Sequence, residues 1–310
     1  MDHLTDEDVA AVTALLSGER LSTFQAMAGT ARAAITLHQQ MLQLAGALMS
    51  VTAVIEIALR NAACDRLREH FGVEGWLRRP PAPFSWKDEE RGKIEAAVRS
   101  AQRTAYTKLK ASDKLALDRT AFRRGVPSEL QYEYRVDARQ RTIAVRSGQV
   151  ITQLTMYFWK RLFSRDYEQT LWKPALKRIF PDKRIDRSAV AAQLERIYQT
   201  RNRVAHHEPV YGHRLFDTLN AVDFLASHLG MAGSDGFTAL HKMLRSEQAA
   251  LENRAHVLQL EIETGTGANH SCAKRGRLHG RASRNALGEH RHSCADASHV
   301  KPRWPDPPRS

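Results

Sequence analysis

Residues 37–62 read LHQQMLQLAGALMSVTAVIEIALRNA, and their apolar positions decide the fold. Leu37, Met41, Leu44, Leu48, Val51, Ile55, Ala58 and Ala62 alternate spacings of four and three. A half-buried strand repeats every two residues, so this stripe belongs to one face of a helix. The pattern predicts one long helix over 33–70. Such a seam suits either the core of a helical bundle or a second copy of the same helix, and the bundle core is the preferred reading.

Working outward, strand signals are nearly absent and helical periods recur, so the expected class is all-α. A helix is predicted over 148–163, with Val150, Leu154, Tyr157, Phe158 and Leu162 on one face. Others are predicted over 172–179, 188–203, from Pro209 to about 229, and over 238–262. Pro80, Pro81 and Pro83 make a stiff loop. Beyond it, Ser85 followed by Asp88 predicts an N-cap for a helix reaching about 104. Residues 110–146 are polar, irregular and basic, and read as a long loop able to touch a ligand.

The chain of 310 residues is 42% hydrophobic and 26% charged, enough to bury a core. No uninterrupted run of about 18 apolar residues appears, so no membrane span is expected. The opening MDHLTDEDVA is acidic and lacks the apolar stretch of a signal peptide, which points to the cytoplasm. Cys64, Cys272 and Cys294 are scattered, as suits a reducing compartment.

The net charge of +13 favours a polyanionic partner, above all nucleic acid. About half of that excess follows Glu263, where aliphatic residues thin out and Gly, Arg, His and Ser accumulate. The expectation is a helical domain over 1–263 and a disordered basic tail over 264–310. The tail repeats His-Ser-Cys at 270–272 and 292–294 without the close ligand pairs of a zinc finger, so no metal is expected.

The stretch richest in chemistry is RNRVAHHEPV, residues 201–210. Val190, Leu194, Ile197, Arg201 and Val204 continue a four–three spacing, so Arg201 takes a place usually held by an aliphatic residue. A buried arginine needs a carboxylate, and Glu56 and Asp65 on the long helix are the candidates. On an unbroken helix Arg201 and His206 stand about 140° apart. Pro209 predicts a bend that brings both to one cleft and opens the next helix, whose first amides suit a phosphate. Arginine holds phosphate without losing charge, and histidine moves protons near neutral pH. Together they suit RNA cleavage without a metal or other cofactor, leaving 2′,3′-cyclic phosphate and 5′-hydroxyl ends. A metal site of His206, His207 and Glu208 is the weaker reading, because adjacent histidines rarely point the same way.

RNRVAHHEPV resembles the signature of Abi-like proteins, a bacterial abortive-infection family of the HEPN superfamily. In that pattern an Arg is followed, after four to six residues, by a His, often with a polar neighbour of the Arg. Arg201 to His206 fits with four between and Arg201 to His207 with five, while Arg203 to His207 does not fit. VIEIALRNAACDRLREHFG, residues 54–72, is similar to the family's early helix, with Glu56, Arg60 and Asn61 as its Glu-x-x-x-Arg-Asn core. GQVITQLTMYFWKRLFS and LWKPALKRIFPD resemble its middle block. The resemblance covers roughly 21–229.

The resemblance implies a HEPN-type helical fold, a homodimer with the motif in a cleft between copies, and a bacterial cytoplasmic role in phage defence or a toxin–antitoxin system. Arg201 and His206 would be the catalytic pair, with Asn202 and His207 assisting, Arg203 binding substrate, and Glu56, Arg60, Asn61 and Glu208 in support. Glu56 and Arg60 are also placed for an i, i+4 structural pair, and Glu56 would orient Arg201 if it reached it. RNA and an antitoxin protein are the implied partners. The alternative is a non-catalytic RNA-binding or protein-interaction module in which the histidines merely end a helix.

Overall fold

The computed structural model describes the backbone of residues 3–279 and the side chains of 3–263. Among the described residues there is no strand; a lone antiparallel bridge joins Ala232 to Thr238. Two short helices open the chain, α1 (Asp6–Leu16) and α2 (Gly18–Ala28), capped by the side chains of Thr5 and Ser17. The long helix is α3 (Ala31–Phe71), 41 residues, capped by Thr30 and ended by Gly72 in the left-handed region at φ 66°.

Burial on α3 follows the stripe through Leu37, Met41, Leu44, Leu48, Val51 and Ile55. It then steps to Leu59, Ala63 and Leu67, leaving Ala58 and Ala62 only partly buried. The cause is geometric. A straight helix turns every 3.6 residues, so a strict seven-residue repeat drifts by about 20° per heptad. The inner face is therefore a core stripe, packed mainly against α2 and the last helices of the chain.

By length and composition α3 is also apolar enough to cross a membrane, with an 18-residue window of mean hydropathy 1.8. Counting uninterrupted apolar runs misses this. Thr52, for example, breaks a run, but its hydroxyl bonds back to the Leu48 carbonyl at 2.8 Å inside the core.

After the proline loop comes α4 (Asp88–Thr107). Ser85 does not cap it. Lys87 holds the cap position without a side-chain bond, and the acidic first turn of Asp88, Glu89 and Glu90 favours the helix through its dipole instead. The expected loop over 110–146 is three short helices: α5 (Ala111–Ala116), α6 (Asp118–Ala121) and α7 (Tyr132–Arg141). The helix expected over 148–163 is broken into α8 (Ser147–Ile151) and α9 (Met156–Arg161). Its apolar face still points inward, with Val150, Leu154, Phe158 and Leu162 buried.

Residues 172–179 likewise form no α-helix. A 3₁₀ turn at Arg165–Tyr167, a π-turn at Glu168–Trp172 and a 3₁₀ turn at Leu176–Ile179 follow one another. Tyr167 of the first turn meets Phe84 and Trp86, and Phe163, Trp172 and Phe180 are in ring contact with one another. Bulky rings fix the backbone there more strongly than helix propensity does.

The chain closes with α10 (Arg187–Ala205), α11 (Gly212–His228) and α12 (Ala239–His279). All three pack on α3, and α11 packs on both α10 and α12. The expected disordered tail over 264–310 is corrected in its first part: α12 continues through the backbone of 264–279, while side chains after Glu263 and all residues from 280 lie outside the described residues.

Candidate functional site

The motif lies at the end of α10. Val190, Leu194, Ile197 and Val204 are buried as the spacing predicts, but the inward place at the motif's turn belongs to Thr200. Thr200 is 1% exposed, and its hydroxyl oxygen lies 2.7 Å from that of Thr218 on α11. Arg201 stands at the edge of the stripe instead. Its Nε lies 3.1 Å from Glu56 Oε2 on α3, with the arginine side chain 32% and the glutamate side chain 12% exposed. The Nε–H is not aimed along that line, so the contact is an ion pair rather than a directed hydrogen bond.

Glu56 thus turns to Arg201 and not to Arg60, and the i, i+4 pair on α3 is not formed. The Nε of Arg60 is buried without a hydrogen-bond partner, and Asn61 is exposed. Asp65, the other candidate carboxylate, pairs with Arg68 at 3.4 Å.

Beyond Arg201 the helix continues unbroken to Ala205, and His206 is its C-cap. His207 then adopts a left-handed φ of 55°. Its N–H donates to the Val204 carbonyl at 3.0 Å, and the Glu208 N–H donates to the Arg203 carbonyl at 2.8 Å. Those two bonds make a Schellman ending, with His207 in the place usually given to glycine. The apolar contact that often accompanies this ending is replaced by charge: Arg203 Nη1 meets Glu208 Oε2 at 2.9 Å. A second clamp comes from α2, where Arg20 Nη1 donates to the His207 carbonyl at 3.1 Å.

Two expectations are corrected here. The bend lies after both members of the Arg201–His206 pair, so it does not bring them to one face. They remain about 140° apart on one helix, Arg201 toward α3 and His206 toward solvent. Nor does Pro209 open the next helix. It sits in an extended connection, and α11 starts at Gly212 after Tyr211.

The other motif residues divide cleanly. Arg203 and Glu208 are engaged with each other, Asn202 is half-buried, and the imidazoles of His206 and His207 are exposed, with no hydrogen bond or ion pair among the described residues. The N–H groups of His206, His207 and Glu208 all find helix carbonyls, while the two titratable rings have no such partner among the described residues. Among the described residues no three His, Cys, Asp or Glu side chains are grouped as metal ligands. Two surface hollows lie elsewhere, one at the end of α3 by Asp65 and Gly72, the other by His228 and Phe237.

Arg20 is the contributor that the sequence does not reveal, because 187 residues separate it from His207 and no local pattern links them. Compared with protein-family models, with curated proteins and with solved structures, the chain finds no match.

Proposed function

We propose that the chain is a metal-independent endoribonuclease of abortive-infection or toxin type, acting through Arg201 and His206. The observation that carries the reading is the division of labour at the end of α10. One arginine is held by Glu56, and two unengaged imidazoles project from a rigidly capped turn beside it. In the reaction the 2′-oxygen attacks the adjacent phosphorus and loses its proton. The bond from phosphorus to the 5′-oxygen breaks, and that oxygen gains a proton. His206 serves one of these proton transfers, and Arg201 stabilises the charge gathering on the phosphorane. Because the two side chains face different ways within one chain, a working pair takes Arg201 from one copy and His206 from another, across a homodimer.

The purified protein is expected to cut RNA in EDTA, leaving 2′,3′-cyclic phosphate and 5′-hydroxyl ends. His206→Ala is expected to slow cleavage by about 10²–10⁴-fold, the usual worth of a proton-transfer group, with an unchanged far-UV spectrum. Cleavage that persists in both Arg201→Ala and His206→Ala would sink the assignment.

One observation favours a second reading, a non-catalytic module that binds RNA or protein. The N–H groups of His206, His207 and Glu208 all donate to carbonyls of the helix they end, as a purely structural turn requires. RNA binding without cleavage in the same assay is its signature.

A further inference from the structure

The helices α5–α7 form an arm whose polar residues are of two kinds. The first kind holds the arm together. Asp118 Oδ1 accepts from Arg139 Nε at 2.7 Å and from Arg135 Nε at 3.2 Å, and its Oδ2 accepts from Nη2 of both. Arg139 is 5% exposed, so this knot of charge stands where an apolar core would otherwise fix α6 on α7. Tyr106 is buried at its base, with Lys114 Nζ 5.0 Å from the ring centroid.

The second kind has no such task. The arm's ion pairs use Arg135, Arg139 and Arg141. Arg119, Arg123 and Arg124 are exposed and enter none of them, as do Lys108 and Lys110 at the arm's root. Three exposed acids, Asp113, Glu129 and Glu133, leave a positive excess. The same arm carries two large rings in water: Tyr132 is 74% exposed and Tyr134 65%. They occupy the first turn of α7, about 200° apart around it, so they flank the turn rather than stack on each other.

From this combination on one arm, where α6 packs on α7, we infer a binding site for single-stranded nucleic acid. A strand crosses the first turn of α7, Tyr132 and Tyr134 stack on unpaired bases either side of it, and Arg119, Arg123 and Arg124 hold the phosphates. Phosphate attraction alone does not need exposed rings, and a duplex offers no free base face to them. A protein partner would make use of the rings but leave three unpaired arginines without a task. The site is remote in sequence from the Arg201–His206 motif, and its binding does not depend on cleavage.

The test is fluorescence anisotropy on the full chain with labelled 2′-O-methyl oligouridine, which lacks the attacking hydroxyl, alongside oligothymidine and duplex RNA. Tyr132→Ala/Tyr134→Ala is expected to weaken binding of the single-stranded probes at least fivefold, at the low end of the usual loss of about 5–150-fold per stacked base. Tyr132→Phe/Tyr134→Phe, which keeps the rings, is expected to bind like the unaltered protein. Arg119→Ala/Arg123→Ala/Arg124→Ala is expected to reduce the slope of log K against log salt by about 2, near 0.7 for each phosphate no longer neutralised. All five side chains are exposed, so circular dichroism melts of these variants should overlay the original. Unchanged binding in the alanine pair overturns the inference and leaves a protein partner for the tyrosines. A phenylalanine pair as weak as the alanine pair overturns the stacking. Either result leaves the cleavage reading standing, which fails only on the Arg201 and His206 variants.

Discussion

At the scale of single residues, His207 is the most informative position. A histidine at φ 55° carries a steric penalty that glycine escapes, and the Schellman ending demands that conformation. His207→Gly is therefore expected to stabilise the fold by up to about 1 kcal/mol in urea denaturation, since the relief of strain is partly offset by a more flexible unfolded chain. Under the proposed function it should also keep most of the cleavage that His206→Ala removes, which decides between the two adjacent histidines. Pro209 and the polar run signal that a helix ends here, so the ending is legible in the sequence. The left-handed histidine is not, because glycine is the usual marker of that turn. A second imidazole bears on stability. His38 on α3 is buried against the edge of Phe24, with neither ring nitrogen hydrogen-bonded. Burial, with a smaller push from Arg20, lowers its pKa below the ordinary histidine value. The unfolded chain then binds this proton more tightly than the folded one. The stability contributed by neutral His38 is present above about pH 6.5 and lost as pH falls from there through the lower folded-state pKa. The melting temperature should drop on acidification over that window, and His38→Leu should flatten the drop.

At the scale of elements, the sequence is clear wherever one face of a helix is buried, and obscure wherever side chains impose the backbone. The α3 stripe is legible because burial and periodicity share one cause. It goes astray only after Ile55, where a seven-residue reading lands on Ala58 and Ala62 in place of Leu59 and Ala63. Leu59→Ala should therefore cost about 2–5 kcal/mol in chemical denaturation, as for other fully buried leucines. Ala62→Ser, at a partly buried position, should cost far less. The α5–α7 arm is illegible for the opposite reason. Arginine–aspartate contacts between residues about 20 apart in sequence leave no period to read. The same contacts hold the Asp118 carboxyl well below the usual carboxylate range, with Arg139 the larger cause and Arg135 the next. Asp118→Asn strips the knot of its charge. Amide exchange across 111–141 should then accelerate on the order of tenfold while α3 keeps its protection, because local openings report local contacts.

At the scale of the whole molecule, the placement of Arg201 and His206 on different sides of one helix makes the proposed chemistry a question of assembly. Burial logic leads from Arg201 to a carboxylate on the long helix, Glu56 or Asp65, and the ion pair forms with Glu56. The direction of His206 is not legible in the same way, because the bend marked by Pro209 falls one residue too late to turn it. If each working site takes Arg201 from one copy and His206 from the other, a two-fold dimer carries two such sites. Arg201→Ala and His206→Ala proteins, each inactive alone, then complement when mixed. A heterodimer holds one site with both residues intact and one with neither. Random exchange makes half the dimers heterodimers, so specific activity should return to about a quarter of the original. Co-expression with two affinity tags isolates the heterodimer, where the expected recovery rises to about one half. A site complete within each chain predicts no recovery in either experiment, since every chain then lacks one member of its own pair. A chain that sediments as a strict monomer at micromolar concentration yet still cleaves would also exclude the shared site, and would require Arg201 and His206 to meet through a rearrangement of the α10 ending.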